Sequence, residues 1–341
     1  MMPRPRPHSM GVLEQNKYLI AAVSAVVVAT ALAFYYIFSL HSLSYLLNPP
    51  DDLTLYSVLL IAFILGIFHG VTPDEHTWPI TFSYAVGSYS TRKGMKAGFA
   101  FSLGFTLQRA FLTTIGFLGL AAIYTRYNLD GPVYVLVGIA MAVVGMYVLN
   151  KKALLHIPFD ALFRSEHHTS SPERMPMHDV NPNVAVVHGL IAGFGFGAYS
   201  TIIVFILAPQ VPSLIYAPLV GLMFGLGTMV MQIIFGAAFA NLARLKRLSE
   251  SQMKHVGGKT AGRTLLYGGI AFAVIGALVI AFPAIDSFAI ATGNPIPNLS
   301  SIGVATILVL VVVGVIGIGS LMLGIREMLR MGSVTTNAKA G

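Results

Sequence analysis

The stretch "GIFHGVTPDEHTWPITF", residues 66–82, decides how the rest of the chain is read. It sets His69, Asp74, Glu75 and His76 within eight positions at the end of an apolar run, interrupted by Pro73 and Pro79. On an unbroken helix His69 and His76 share a face but stand about 10.5 Å apart along the axis. Metal–nitrogen bonds of about 2 Å cannot bridge that gap, so the helix must break if the two act together. Pro73 supplies the break. It has no N–H and clashes with the carbonyl four residues back, which belongs to His69. The proline thus frees a backbone acceptor beside the first histidine and bends Asp74 and His76 toward it. Gly70 leaves room for a close helix neighbour.

The surroundings of this stretch are lipid-like. Of the 341 residues 55% are hydrophobic and only 10% charged, with a mean hydropathy of +0.76, whereas soluble domains carry about 25% charged residues. This is the composition of an integral membrane protein. The absence of cysteine excludes disulfides, iron–sulfur clusters and paired-thiol relays. The opening "MMPRPRPHSMG" precedes an apolar segment too long for a cleaved signal peptide, so residues 18–40 read as a retained helix.

Apolar windows long enough to span a bilayer fall at about 18–40, 55–72 (continuing to about 88), 97–122, 132–150, 183–208, 213–240, 262–284 and 301–325. Their connections alternate in charge, and nineteen of the 21 basic residues collect on one side. Opposite them lie Asp51, Asp52, Asp130 and Asp286 with only Arg126. Basic residues mark the cytoplasmic face. The reading is therefore a multi-pass plasma-membrane protein with both termini cytoplasmic. The net charge of +8 is then a topology signal and not a nucleic-acid patch. The organisation expected is a cytoplasmic tail over 1–17, a transmembrane transporter domain over 18–325, a cytoplasmic His-containing loop over 151–182 and a cytoplasmic tail over 326–341.

An internal repeat is visible. "FHGVTP" (68–73) in the second window has a counterpart in "VHGLIAGFGFGAYST" (187–201) in the fifth, and "FSLGFTLQ" (101–108) in the third has one in "FGLGTMVMQ" (224–232) in the sixth. His69 and His188 are 119 positions apart, Phe101 and Phe224 123 apart. Three windows separate the copies, so the halves, about 55–150 and 183–325, have opposite orientations, as in transporters whose sites are built from discontinuous helices near the midplane. The fold class expected is an all-α integral membrane protein of about eight transmembrane helices with an inverted repeat and a broken second helix.

The pocket expected at the break is rich in nitrogen and oxygen and free of sulfur, which fits a borderline divalent cation. Its candidate ligands are His69, Asp74, Glu75, His76 and, through the repeat, His188. Arg109 lies within the third window, where a charged group needs a partner or a watery cavity. Asp74 and Glu75 are the partners expected for it. A proton relay through the same acids and histidines is the competing chemistry.

These residues resemble the nickel/cobalt permease (NiCoT) family, whose second-span signature is His, four residues, then Asp-His. "FSLGFT" (101–106) is similar to that family's Phe-Ser-Leu-Gly-His-Ser element, "GFGFGAYSTI" (193–202) to its Gly-Phe-Asp-Thr-Ala-Thr-Glu stretch, and "FGLGT" (224–228) to the related urease-accessory and sulfite-exporter-like membrane proteins. The likeness covers most of 55–325. The chain departs from it in three places: Glu75 is inserted between the expected Asp and His, Phe105 replaces a His, and Gly197 and Thr201 replace acids. The resemblance implies a distant branch of secondary transporters with nickel or cobalt as cargo and no permanently bound cofactor.

The function expected is secondary transport of a divalent transition-metal cation, Ni2+ or Co2+, with the lipid bilayer and a homo-oligomeric or accessory subunit as partners. The loop histidines His156, His167, His168 and His178 offer a second, cytoplasmic place to collect metal. No Walker-type Lys follows the glycines after His188, so the energy comes from a gradient or another subunit. Two alternatives keep the fold: a proton-coupled carrier of an anion or small organic solute, and a non-transporting membrane subunit. An intramembrane hydrolase with Glu75 as base lacks the HExxH order, and the chain is not expected to be an enzyme.

Overall fold

The computed structural model describes residues 40–121, 123, 126–149, 182–242 and 248–337. The expected N-terminal tail and most of the first window lie outside these residues, as does the loop over 151–181 with its four histidines. The chain divides after Pro50. The first unit contributes one described helix, α1 (Leu40–Leu47).

The second unit is helical almost throughout. Helices α2 (Leu55–Val71) and α3 (Trp78–Ser88) come from the second window, and α4 (Thr91–Phe117) and α5 (Asp130–Val148) follow. The fifth window forms α6 (Pro182–Ala192) and α7 (Ala198–Thr201), the latter running on through a π-helical turn (Ile202–Leu207). Next come α8 (Ala217–Asn241) and α9 (Glu250–Ala281). A short antiparallel pair, β1 (Ala289–Ala291) and β2 (Ser301–Gly303), precedes α10 (Val304–Val309), a π-helical stretch (Leu310–Ile318) and α11 (Gly319–Asn337). Residues 326–337, expected as tail, extend this last helix.

Four helical segments among the described residues are long and apolar enough to cross a membrane: Asp130–Val148, Leu214–Asn241, Glu250–Ala281 and Val304–Met328. The second window, expected as a broken helix, and the fifth, expected as one span, are each divided into shorter apolar pieces.

Local chemistry accounts for the ends. Thr54 caps α2 by accepting the Ser57 N–H. Thr72 closes it with ψ 145°, the extended conformation forced on a residue before proline. Pro79 sits in the first turn of α3, where its missing N–H costs nothing. Ser249 and Gln252 form a reciprocal capping box at the start of α9.

Close approach of backbones organises the packing. Between apolar helices in lipid there is no hydrophobic drive, so small residues that let backbones touch set the contacts. A Cβ at Gly66 would strike the Phe224 carbonyl, and one at Gly189 the Phe101 carbonyl. A Cβ at Gly227 would strike the Phe63 carbonyl, and one at Gly104 the Val186 carbonyl. Each pair maps onto the other by an offset of 123, since 189 − 66, 224 − 101, 227 − 104 and 186 − 63 are all 123. Thus α2 meets α8 as α6 meets α4. The α4–α8 contact maps onto itself: Gly98 lies on the Gln232 carbonyl and Gly221 on the Arg109 carbonyl. The same offset carries His69 to Ala192, so His188 lies one helical turn short of the position that the sequence pairs with His69.

Candidate functional site

The site is built on the break between α2 and α3. Thr72 turns its hydroxyl back onto the Phe68 carbonyl at 3.0 Å and the His69 carbonyl at 3.4 Å. The acceptor that Pro73 frees is therefore partly taken by a neighbouring hydroxyl, although a carbonyl keeps a second lone pair. Asp74 opens the turn that leads into α3. Its Oδ1 accepts the N–H groups of His76 at 3.1 Å and Thr77 at 2.9 Å, the local side-chain bonds by which Asp stabilises a turn. Its Oδ2 lies 3.7 Å from His69 Nδ1.

Glu75 faces the other histidine. Its Oε1 is 3.0 Å from His76 Nδ1 and accepts the Tyr134 hydroxyl at 3.4 Å. With Glu75 ionised and the imidazole neutral, Nδ1 of His76 would carry the proton and Nε2 the lone pair, the arrangement common to metal-binding histidines backed by a carboxylate. All four side chains are buried. Ligand-capable atoms of Asp74, Glu75 and His76 lie within 4.8 Å of one another. Among the described residues neither ring nitrogen of His69, nor Nε2 of His76, meets a hydrogen-bond partner.

Aromatic rings fix the imidazoles. His69 stacks on Phe105 at 5.5 Å between ring centres and meets Tyr199 edge-on at 5.6 Å and Phe224 at 5.2 Å. His76 stacks on Tyr134 at 5.3 Å, and its other side rests on the bare backbone of Gly195, where a Cβ would run into the ring. Gly195 belongs to the break between α6 and α7, so the two divided windows meet at His76.

Of the expected ligand set, the structure brings together Asp74, Glu75 and His76, with His69 beside Asp74. His188 goes elsewhere: its Nδ1 is 2.6 Å from the Tyr84 hydroxyl, and it lies four residues before Ala192, which the offset of 123 sets against His69. Arg109 does not take the acids as its partners. It donates from Nη2 to the Gly195 carbonyl at 2.9 Å and lies over the Phe105 ring at 4.6 Å, while His69, His76 and Tyr134 partner Asp74 and Glu75. Phe105 thus meets both the His69 ring and the Arg109 guanidinium.

Several participants escaped the sequence reading. Tyr134 carries no local signal beyond lying one turn after Asp130. Tyr199 and Asn298 depend on remote contacts. Asn298 Nδ2 donates to Thr72 Oγ1 at 3.3 Å and the Tyr199 hydroxyl to the Pro297 carbonyl at 3.4 Å, which ties the β1–β2 connection to the turn beside His69. A cavity of about 440 Å³ lined by Ile275, Ile285, Val304 and Leu308 is apolar and includes none of the site residues.

Two carboxylates and two imidazoles at this spacing can coordinate a cation or pass protons along the two acid–histidine pairs. No protein-family model, no curated protein and no solved structure matches this chain.

Proposed function

We propose that the chain is a secondary transporter of a divalent transition-metal cation, nickel or cobalt, bound where the two divided windows meet. The carrying observation is the buried Asp74–Glu75–His76 cluster, with its ligand-capable atoms within 4.8 Å on a helix break. Burying ionisable groups among apolar helices is costly and marks ion or proton pathways. The chemistry of the donors, imidazole and carboxylate without thiolate, suits borderline cations that must be released again. The likeness to the nickel/cobalt permeases points to the same cargo. In this reading about eight helices cross the plasma membrane with both termini cytoplasmic. The contacts that recur at an offset of 123 support two inverted halves, whose rocking about the α4–α8 contact opens the site to one side and then the other.

The test is uptake of Ni2+ and Co2+ into sealed vesicles containing the purified chain. Wild type accumulates the cation, and Asp74→Asn and His76→Ala reduce uptake about a hundredfold, on the order expected for losing a ligand and its oriented neighbours. Accumulation by wild type no greater than by protein-free vesicles sinks the reading, as does equal accumulation by the variants. One observation favours proton-coupled carriage of another solute instead: each acid already has an imidazole beside it. Acidification of vesicles by solute alone, with chelator present, would decide for that reading.

A further inference from the structure

α4 carries a second buried polar group at the site that the preceding chemistry leaves unused. Gln108 is 2% exposed, and among the described residues neither its Oε1 nor its Nε2 meets a hydrogen-bond partner. A buried polar group left unpaired costs about 1–3 kcal/mol, so a primary amide is a poor choice for simple packing. Its position gives it a use. A Cβ built on Gly193 would come 2.6 Å from Gln108 Oε1, and one built on Gly195 would run into the His76 ring. The Cα atoms of residues two apart are separated by no more than about 7 Å. The Gln108 amide and the His76 imidazole therefore rest on the same short piece of backbone. Arg109, next along α4, holds that piece in place through the Gly195 carbonyl.

We infer that Gln108 is a further ligand of the cation site, its amide oxygen adding a neutral, hard donor from the same Gly193–Gly195 backbone on which the His76 ring rests. This rests on the cation reading given above. The consequence is a selectivity role. Carbonyl oxygen suits harder ions such as Mn2+, whereas imidazole suits Ni2+, Co2+ and Cu2+, so Gln108 broadens what a purely histidine–carboxylate site would hold.

The experiment uses the full chain in detergent, titrated with Ni2+, Co2+ or Mn2+ alone, with apparent affinity read from the rise in thermal midpoint. Gln108→Leu is expected to weaken apparent affinity about tenfold or more, in line with the loss of a site-supporting group. Its midpoint without added metal should be equal to or above that of wild type, because an unpaired amide has been removed. Gln108→His is expected to keep the Ni2+ response and lose that to Mn2+, a change of selectivity that a packing role does not produce. Gln232 on α8 is the control, buried with an amide that likewise has no partner among the described residues; Gln232→Leu should leave affinity within twofold of wild type. Should Gln108→Leu not fold, Gln108→Met is read by the same criteria. Affinity of the Gln108 variant within twofold of wild type overturns the inference, as does equal weakening by the Gln232 variant; both outcomes leave the cation reading standing. A wild type whose midpoint no divalent cation raises overturns both.

Discussion

The two breaks in the helices solve opposite problems. The one at 72–77 carries the ionisable groups: Pro73 ends α2, Asp74 holds the turn with one oxygen and faces His69 with the other, and Glu75 and His76 pair within it. The one at 193–197, "GFGFG", carries no ionisable side chain. It supplies space and backbone instead, a flat surface for His76 and for Gln108 and a carbonyl for Arg109. A cluster of charged groups at a break can close into a site only if whatever faces it has little bulk of its own. The lesson is that the half without chemistry is as constrained as the half with it, and that the constraint is steric.

The largest effect should come from filling that space. Gly195→Val puts a branched side chain where the His76 ring lies. Overpacking costs about 1–3 kcal/mol, and displacing the ring should lower cation affinity about a hundredfold. A melting and titration series on the purified variant checks both; a variant that binds like wild type breaks the comparison. An intermediate effect is expected at the pair set apart from the site. Tyr84→Phe leaves His188 Nδ1 without the hydroxyl 2.6 Å away, at a cost of about 1–3 kcal/mol. The midpoint should fall while the cation response stays unchanged. Loss of that response would restore His188 as a ligand and undo the one-turn displacement between the halves.

The smallest effect concerns the outer connection. Partial burial, with the Glu75 charge as a lesser cause, holds the Asp286 carboxyl above its usual range. Folding therefore favours the protonated acid, so the stability it contributes is present at low pH and lost as the pH rises from the usual carboxylate value through the raised one. Asp286→Asn should flatten the thermal midpoint against pH over that window, matching wild type below it and lying above wild type beyond it. A profile that keeps its wild-type slope would show that the Asp286 carboxyl is not held above its usual range.

Much of this was legible beforehand, for identifiable reasons. Proline acts on its own backbone and on the carbonyl four residues back, so the interruption after His69 follows from local rules. The apolar windows and the small residues between them report the helical, lipid-like character without tertiary knowledge. The pairing of His69 with His188 was misleading because a shared His-Gly dipeptide is weaker information than the spacing of the glycines. Those at 66, 104, 189 and 227 keep one offset, and the dipeptide is a turn out of step with it. Arg109 was expected on the acids because opposite charges attract. The structure gives it a carbonyl and an aromatic face, which also satisfy a guanidinium, and leaves the acids to the imidazoles.

By itself the sequence determined that helices in an apolar medium would form, that the second would be interrupted at Pro73, and that two acids and two histidines would gather at the interruption. These are consequences of composition and of contacts within a few residues. Only the tertiary structure decided which groups meet: Tyr134 on Glu75, Phe105 between His69 and Arg109, Gly195 beneath His76. Apart from Phe105 and Arg109, one turn apart on α4, these contacts join residues dozens to more than a hundred positions apart, and their geometry is set by how closely helix backbones approach. That distance depends on every small residue along an interface at once, and no single stretch of chain encodes it.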